Sequence, residues 1–232
     1  MTDGMVFADN IWVQWLEKFA KNGQIESCLL LLNKISRMDN GSKLKASHFN
    51  SILTAYGIRG DLDGLRSTLQ YMNQMSTQPT ALGNPNPLSP NAATYWSYIR
   101  SLLQMKRKLG TLIRNGEAFE ENMEKKQALQ RELDQIMSEM SSREFSLSWK
   151  LYTYLLEDML CEGELTWDQI QTFIASVVAA RKVFPRQPLT DAVVSAAIQL
   201  GELENGLLFI KDAFGNFKKK YVYIYIYIYF FF

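Results

Sequence analysis

Apolar residues recur at three- and four-residue spacing along most of this chain, in short runs that are broken by glycine. The clearest case is FNSILTAYGIRGDLDGLRSTLQYMNQM, residues 49–75. Ile52, Leu53 and Tyr56 form one apolar face, and Leu65, Leu69 and Met72 form another. Such spacing predicts two amphipathic helices. Gly60 suits a left-handed helix stop and Asp61 the next N-cap, so the pair predicts a short helical hairpin. One hairpin cannot bury its own apolar faces, so it must repeat or join a bundle.

The pattern does repeat. Trp12 to Gly23, Tyr152 to Gly163 and Asp191 to Gly201 each read as an amphipathic helix with a glycine stop, followed by a polar, Leu/Ile and acidic start. Gly23 and Gly60 are 37 residues apart, and Gly163 and Gly201 are 38 apart. That period belongs to helical-hairpin solenoids rather than to propellers or leucine-rich repeats.

Between Gly60 and Gly163 the rhythm changes. Residues 76–91, STQPTALGNPNPLSPN, predict a loop without regular structure, and 90–103 open a further helix. Residues 117–140 read as a long charged helix. Its apolar positions, Leu129, Leu133, Ile136 and Met140, have coiled-coil spacing, but Asn122 and Lys126 break the seam. An extended helix packed on its neighbours is therefore expected ahead of a dimerisation element. The expected units are about 9–45, 46–91, 92–148 (with the insertion), 149–186 and 187–213, all within a domain over 1–217.

Composition adds mostly exclusions. The 232 residues carry net charge +1, so no excess of basic residues marks a nucleic-acid binder, although a local basic stripe stays open. Cys28 and Cys161 lie far apart, outside any CxxC, and read as reduced, buried apolar fillers. The start, MTDGMVFADN, lacks the basic amphipathic character of a transit peptide. The sequence 218–232, KKKYVYIYIYIYFFF, alternates Tyr and Ile after three lysines and closes on phenylalanine. It has three readings: an interfacial anchor, an edge-strand aggregation hazard and a non-functional end. A TA-dinucleotide run read in frame encodes Tyr-Ile, which favours the last; Tyr221 to Phe232 is also too short for a helical span.

No constellation for catalysis or metal binding emerges. His48 has no Cys or carboxylate at ligand spacing, and Glu120-Glu121 and Glu157-Asp158 read as surface charge. No enzyme activity, cofactor, metal, small-molecule substrate or membrane is expected. Trp12, Trp15, Trp149 and Trp167 read as inter-helix packing.

Ser47 to Leu65, S-H-F-N-S-I-L-T-A-Y-G-I-R-G-D-L-D-G-L, followed by Pro90-Asn91, resembles the pentatricopeptide repeat family. The likeness touches Asp9 to about Ala213, with one strong unit and several weaker ones. The resemblance implies an all-α fold, a right-handed superhelical solenoid of helix-turn-helix repeats that lays single-stranded RNA along its concave face, about one base per repeat. It also implies recognition by two side chains per repeat, the polar residue after the helix-opening aromatic and the last residue of the unit. Here these are Asn50 with Asn91, which resembles the family's pyrimidine-reading pair. The other matching pairs are Val13 with Lys45, Trp96 with Ser148, and Thr153 with Arg186. Val13 cannot hydrogen-bond a base, and Trp96 suits stacking better than edge reading. The family's wedge position holds Asn10, Ser47, Ala93 and Lys150, and its phosphate-facing lysine is matched by Lys21 alone.

Each candidate also has a structural role to fill: Asn50 as a helix N-cap, Asn91 as a turn or cap residue, Trp96 as core. Lys106-Arg107-Lys108 with Arg114, and Arg181-Lys182 with Arg186, are candidate phosphate contacts. The expected function is RNA processing, stability or translation in an organelle, most simply the mitochondrion. With few repeats and one legible pair, the chain reads as a protein subunit of a larger ribonucleoprotein such as the mitochondrial ribosome. The alternative is a tetratricopeptide-like protein-interaction scaffold without RNA binding.

Overall fold

A computed structural model describes residues 9–37, 44–77, 86–163, 165–181 and 187–214. Arg186, Lys182 and the Tyr/Ile tail lie outside these residues, as do residues 78–85 of the proline-rich stretch. Every element among the described residues is helical. In chain order they are α1 Asp9–Lys21, α2 Ile25–Ser36, α3 Ala46–Arg59, α4 Leu62–Ser76, α5 Ala92–Arg114, α6 Phe119–Ser142, α7 Trp149–Glu162, α8 Trp167–Arg181, α9 Gln187–Gln199 and α10 Leu203–Phe214. The fold is all-α. The chain divides into two compact units, Met1–Leu147 and Ser148–Phe232.

Glycine sets the phase of the repeat. Gly23, Gly60, Gly163 and Gly201 are all left-handed, with φ of 63°, 79°, 85° and 75°. Each stands fourteen residues after the first residue of its helix, counted from Asp9, Ala46, Trp149 and Gln187. A left-handed residue ends a helix while letting the next amides reach back to its last carbonyls. Gly60 N–H donates to Gly57 O, and Asp61 N–H donates to Tyr56 O. Asp61 then caps α4, its carboxylate accepting from Gly64 N–H at 2.8 Å. α5 is the exception: Lys106 occupies its fifteenth position, and the helix continues to a left-handed Gly116.

In the first unit α3 packs against α1 on one flank and α5 on the other. The approach to α5 is close because Gly57 carries no side chain. A Cβ there would lie 2.4 Å from Ser101 Cβ and 2.9 Å from its Cα. Ser101 Oγ donates instead to Leu53 O at 3.0 Å. Trp12, Leu16, Cys28, Ile35, Phe49, Ile52 and Met72 belong to one continuous core under this layer. Cys28 donates weakly to Leu16 O, and burial pushes its thiol up to about 11.

The inserted helix α6 turns its seam inward. Leu129, Leu133, Ile136 and Met140 are buried, and α6 packs on α5 within the same unit. Asn122, which breaks the sequence pattern, is also buried and donates to Glu117 O at 2.7 Å. Two tyrosines of α5 fasten the helix. Tyr98 Oη donates to Glu132 at 2.7 Å, and Tyr95 Oη donates to Glu139 at 2.6 Å. Arg66 of α4 clamps Glu132 through Nε and Nη2, and Arg143 bridges Glu139 and Asn73. Burial works to raise the Glu132 carboxyl, but the hydrogen bonds from Arg66 and Tyr98 and the Arg66 charge together hold it below its ordinary value. Burial first, and then the carboxylate partner, pushes both tyrosine hydroxyls well above their usual range.

The second unit packs α7 against α9 and α9 against α10. Arg181 lies 5.0 Å over the Trp149 ring, and Tyr152 meets Phe173 edge-on.

Some sequence expectations fail at the level of single side chains. Cys161 is exposed, because the thirteenth position of α7 falls on the solvent side of the helix. Asp158 is buried, at the tenth position of α7, where α3 carries buried Ala55 and α5 buried Ser101. Trp15 is half exposed rather than packed in the core.

Candidate nucleic-acid interface

Because the helices keep a common phase, the candidate residues take equivalent places. Val13, Asn50, Trp96 and Thr153 are each the fifth residue of α1, α3, α5 and α7. All four are half-buried. The second member of each family-like pair, in turn, is the residue that precedes the next of these helices. Lys45, Asn91 and Ser148 are the N-caps of α3, α5 and α7.

The N-caps are occupied with backbone. Asn91 Oδ1 accepts from Thr94 N–H at 3.1 Å, while Thr94 Oγ1 accepts from Asn91 N–H at 3.2 Å. Ser148 Oγ accepts from Leu151 N–H at 3.2 Å. Lys45 N–H donates to Nδ1 of buried His48, in the first turn of α3, at 3.1 Å. An N-cap points one side-chain oxygen at the helix, so Asn91 keeps its amide group for another partner and stays exposed.

Asn50 differs from its expected structural role. α3 begins at Ala46, so Asn50 stands a full turn inside the helix and is not a cap. Its Oδ1 is buried and lacks a hydrogen-bond partner among the described residues. A buried amide oxygen left in that state costs about 1–3 kcal/mol. Trp96 gives its indole N–H to Ser146 O at 3.1 Å, so only its ring face remains for contact. Thr153 Oγ1 is turned back onto Trp149 O at 3.2 Å.

Extending each helix by the same phase gives a stripe of half-buried and exposed side chains. On α3 it runs Ser47, Asn50, Thr54 and Ile58, and almost all other α3 side chains before Tyr56 are buried. On α1 it carries Val13, Glu17 and Lys21, and on α5 Ala93, Trp96, Arg100 and Gln104. Lys21 is exposed in the last turn of α1. Thr54 and Arg100 went unnoticed in the sequence, although each lies four residues beyond a candidate, on the same helix face.

Among the described residues, several basic side chains of the two clusters make contacts within the fold. Lys106 is buried and donates to Gln130 at 2.7 Å, Lys108 donates to Ile58 O at the end of α3, and Arg107 is likewise engaged. Arg181 covers Trp149. Only Arg114 of the first cluster remains on an exposed helix end, where it reaches Thr111. No group of three or more His, Cys, Asp or Glu side chains among the described residues has the geometry to hold a metal ion. No described helix is long and apolar enough to cross a membrane.

No protein-family model matches this chain, and no curated protein matches it.

Proposed function

We propose that the chain is a right-handed helical-repeat solenoid of the pentatricopeptide type. In this reading it contacts single-stranded RNA through the stripe centred on Asn50, as a subunit of a larger organellar ribonucleoprotein, with the mitochondrion as the compartment that the resemblance implies. The observation that carries the reading is Asn50. Among the described candidates it is the one whose side chain has an unmet acceptor, and it stands at the repeated fifth position, on α3, two helices before the one that Asn91 caps. An amide there can donate to a pyrimidine edge, and accepts from one when the side chain turns its buried Oδ1 outward. Trp96, at the same place on α5, offers a ring for stacking.

The stripe is nearly neutral, with Glu17 set against Lys21 and Arg100. Affinity that rests on counterion release is therefore small, and most of the holding energy comes from neighbouring subunits. The test is fluorescence anisotropy of the full chain with pyrimidine-rich and purine-rich single-stranded RNAs across a salt series. A pyrimidine preference that disappears in Asn50→Ala supports base reading. A folded protein with no binding at moderate salt overturns it.

A scaffold for protein partners is the second reading. It draws on an apolar groove of about 610 Å³ in the second unit, lined by Trp167, Ile170, Ile174, Val178, Leu208 and Phe209.

A further inference from the structure

We infer that the second unit holds a binding cavity for an uncharged, mainly hydrocarbon small molecule that carries a carbonyl-type hydrogen-bond acceptor. The cavity lies among α8, α9 and α10 and has a volume of about 610 Å³. Sites for small ligands are commonly of about 300–1,000 Å³, mostly apolar, with a few placed polar groups. Volume does not name a guest; the lining does.

α8 supplies most of the wall. Trp167, Ile170, Ile174 and Val178 line the cavity at three- and four-residue spacing, along one side of the helix. Ala175 and Ala179 line it as well, and side chains that end at Cβ leave the space beyond them unfilled. Buried Val193 comes from α9, and Leu208 and Phe209 come from α10. Leu208 is 55% exposed and marks an edge open to solvent. Apolar walls that lack contact atoms on one side gain them from an apolar guest.

The polar groups narrow the class. Among the described residues no charged side chain lines the cavity; its polar lining is the amides of Gln171 and Asn205 and the indole of Trp167. Asn205 Nδ2 donates to Glu202 Oε2 at 2.7 Å, so the nearby carboxylate is already engaged. A charged guest would leave water here without an ionic partner, and that is costly. An uncharged guest avoids the penalty.

Trp167 supplies the remaining feature. It is 9% exposed, and its Nε1 is buried with no hydrogen-bond partner among the described residues. An indole N–H is a donor only, so what it lacks is an acceptor. A buried donor left unmet is destabilising, and a carbonyl oxygen on the guest removes that penalty.

The inference does not rest on RNA binding, and it puts a small molecule where the scaffold reading puts a protein segment. Its test uses the full chain and three probes of one shape: an acetylnaphthalene, the matching ethylnaphthalene and the matching naphthoate, compared by equilibrium dialysis. The ketone binds about fivefold more tightly than the hydrocarbon, the increment of one neutral hydrogen bond. The naphthoate binds about tenfold more weakly than the hydrocarbon, because its charge has no partner. Trp167→Phe keeps a ring but removes the donor, and it brings the ketone down to the hydrocarbon. Ala175→Leu fills the cavity from an exposed position of α8 and weakens both neutral probes about tenfold, with melting temperature and RNA anisotropy unchanged. No saturable binding of the neutral probes overturns the inference. So does equal binding of the naphthoate, a ketone preference that survives Trp167→Phe, or binding indifferent to Ala175→Leu. A leucine-rich amphipathic peptide, or a dimer seen by light scattering, that Ala175→Leu abolishes while the neutral probes fail to bind would give the cavity to a protein segment and overturn the small-molecule site.

Discussion

Gly57 of α3 and Ser101 of α5 are in direct contact, and the serine side chain fills the space a Cβ on Gly57 would need. Three of its atoms, Oγ, Cβ and backbone Cα, lie inside contact distance of that position. Gly57→Ala therefore forces the two helices apart and lowers stability by about 1–3 kcal/mol. Gly110 provides the contrast, being helical with nothing within 4 Å of the place a Cβ would take. Gly110→Ala is expected to add about 0.5–1 kcal/mol by helix propensity alone. Urea unfolding of the two variants checks both signs. Equal midpoints would refute the close approach.

The Tyr98–Glu132 bond ties α6 to α5, and Tyr98→Phe leaves a clamped carboxylate with one partner fewer. A loss of about 1–3 kcal/mol is expected, read from chemical denaturation.

The same contacts give two pH limits. Glu132 titrates below its ordinary value in the folded chain, so its contribution is present above the unfolded carboxyl range and fades as pH falls through the folded value. Tyr95 and Tyr98 titrate above theirs, so their contribution is present below about pH 10 and is lost as pH rises beyond it. The slope of stability against pH above 10 should be shallower in Tyr95→Phe/Tyr98→Phe than in the native chain. An unchanged slope would exclude these hydroxyls as its source.

Asn50 joins stability to function. Replacing the amide by Leu removes a buried oxygen without a partner, so Asn50→Leu is expected to raise stability by about 1 kcal/mol while abolishing any pyrimidine preference. Thermal melting and RNA anisotropy, measured on one preparation, show whether the two move in opposite directions.

The thiols separate by rate. Cys161 is exposed, whereas Cys28 is buried with its thiol pushed up to about 11. Near neutral pH an aromatic disulfide reagent should modify one equivalent promptly, at Cys161, with Cys28 reacting only after denaturant is added. Two prompt equivalents would contradict the packing of α2.

The glycine stops were legible because a left-handed residue has few alternatives, and Gly60-Asp61 behaves as its letters suggest. The α6 seam was legible as apolar spacing, though not as to what it faced; the tyrosine–glutamate bonds that decide this join residues 34 and 44 apart. Asp158 and Cys161 were misread because a helix face is set by packing, and one local sequence does not show which flank a neighbour takes. Lys106 and Lys108 also show partners that the sequence did not, Gln130 and Ile58 O. Trp15 is the opposite case, where a residue type that usually packs lies at the layer's outer flank.

α3 packs on α1, α2, α4 and α5, whereas α6 packs on α5. The amides of the two helices therefore report different events in hydrogen exchange. α6 can open while the layer stays closed, so its protection measures a sub-global step. α3 is held on both flanks, by α1 and by α5, so its amides are expected to exchange only as the whole first unit unfolds.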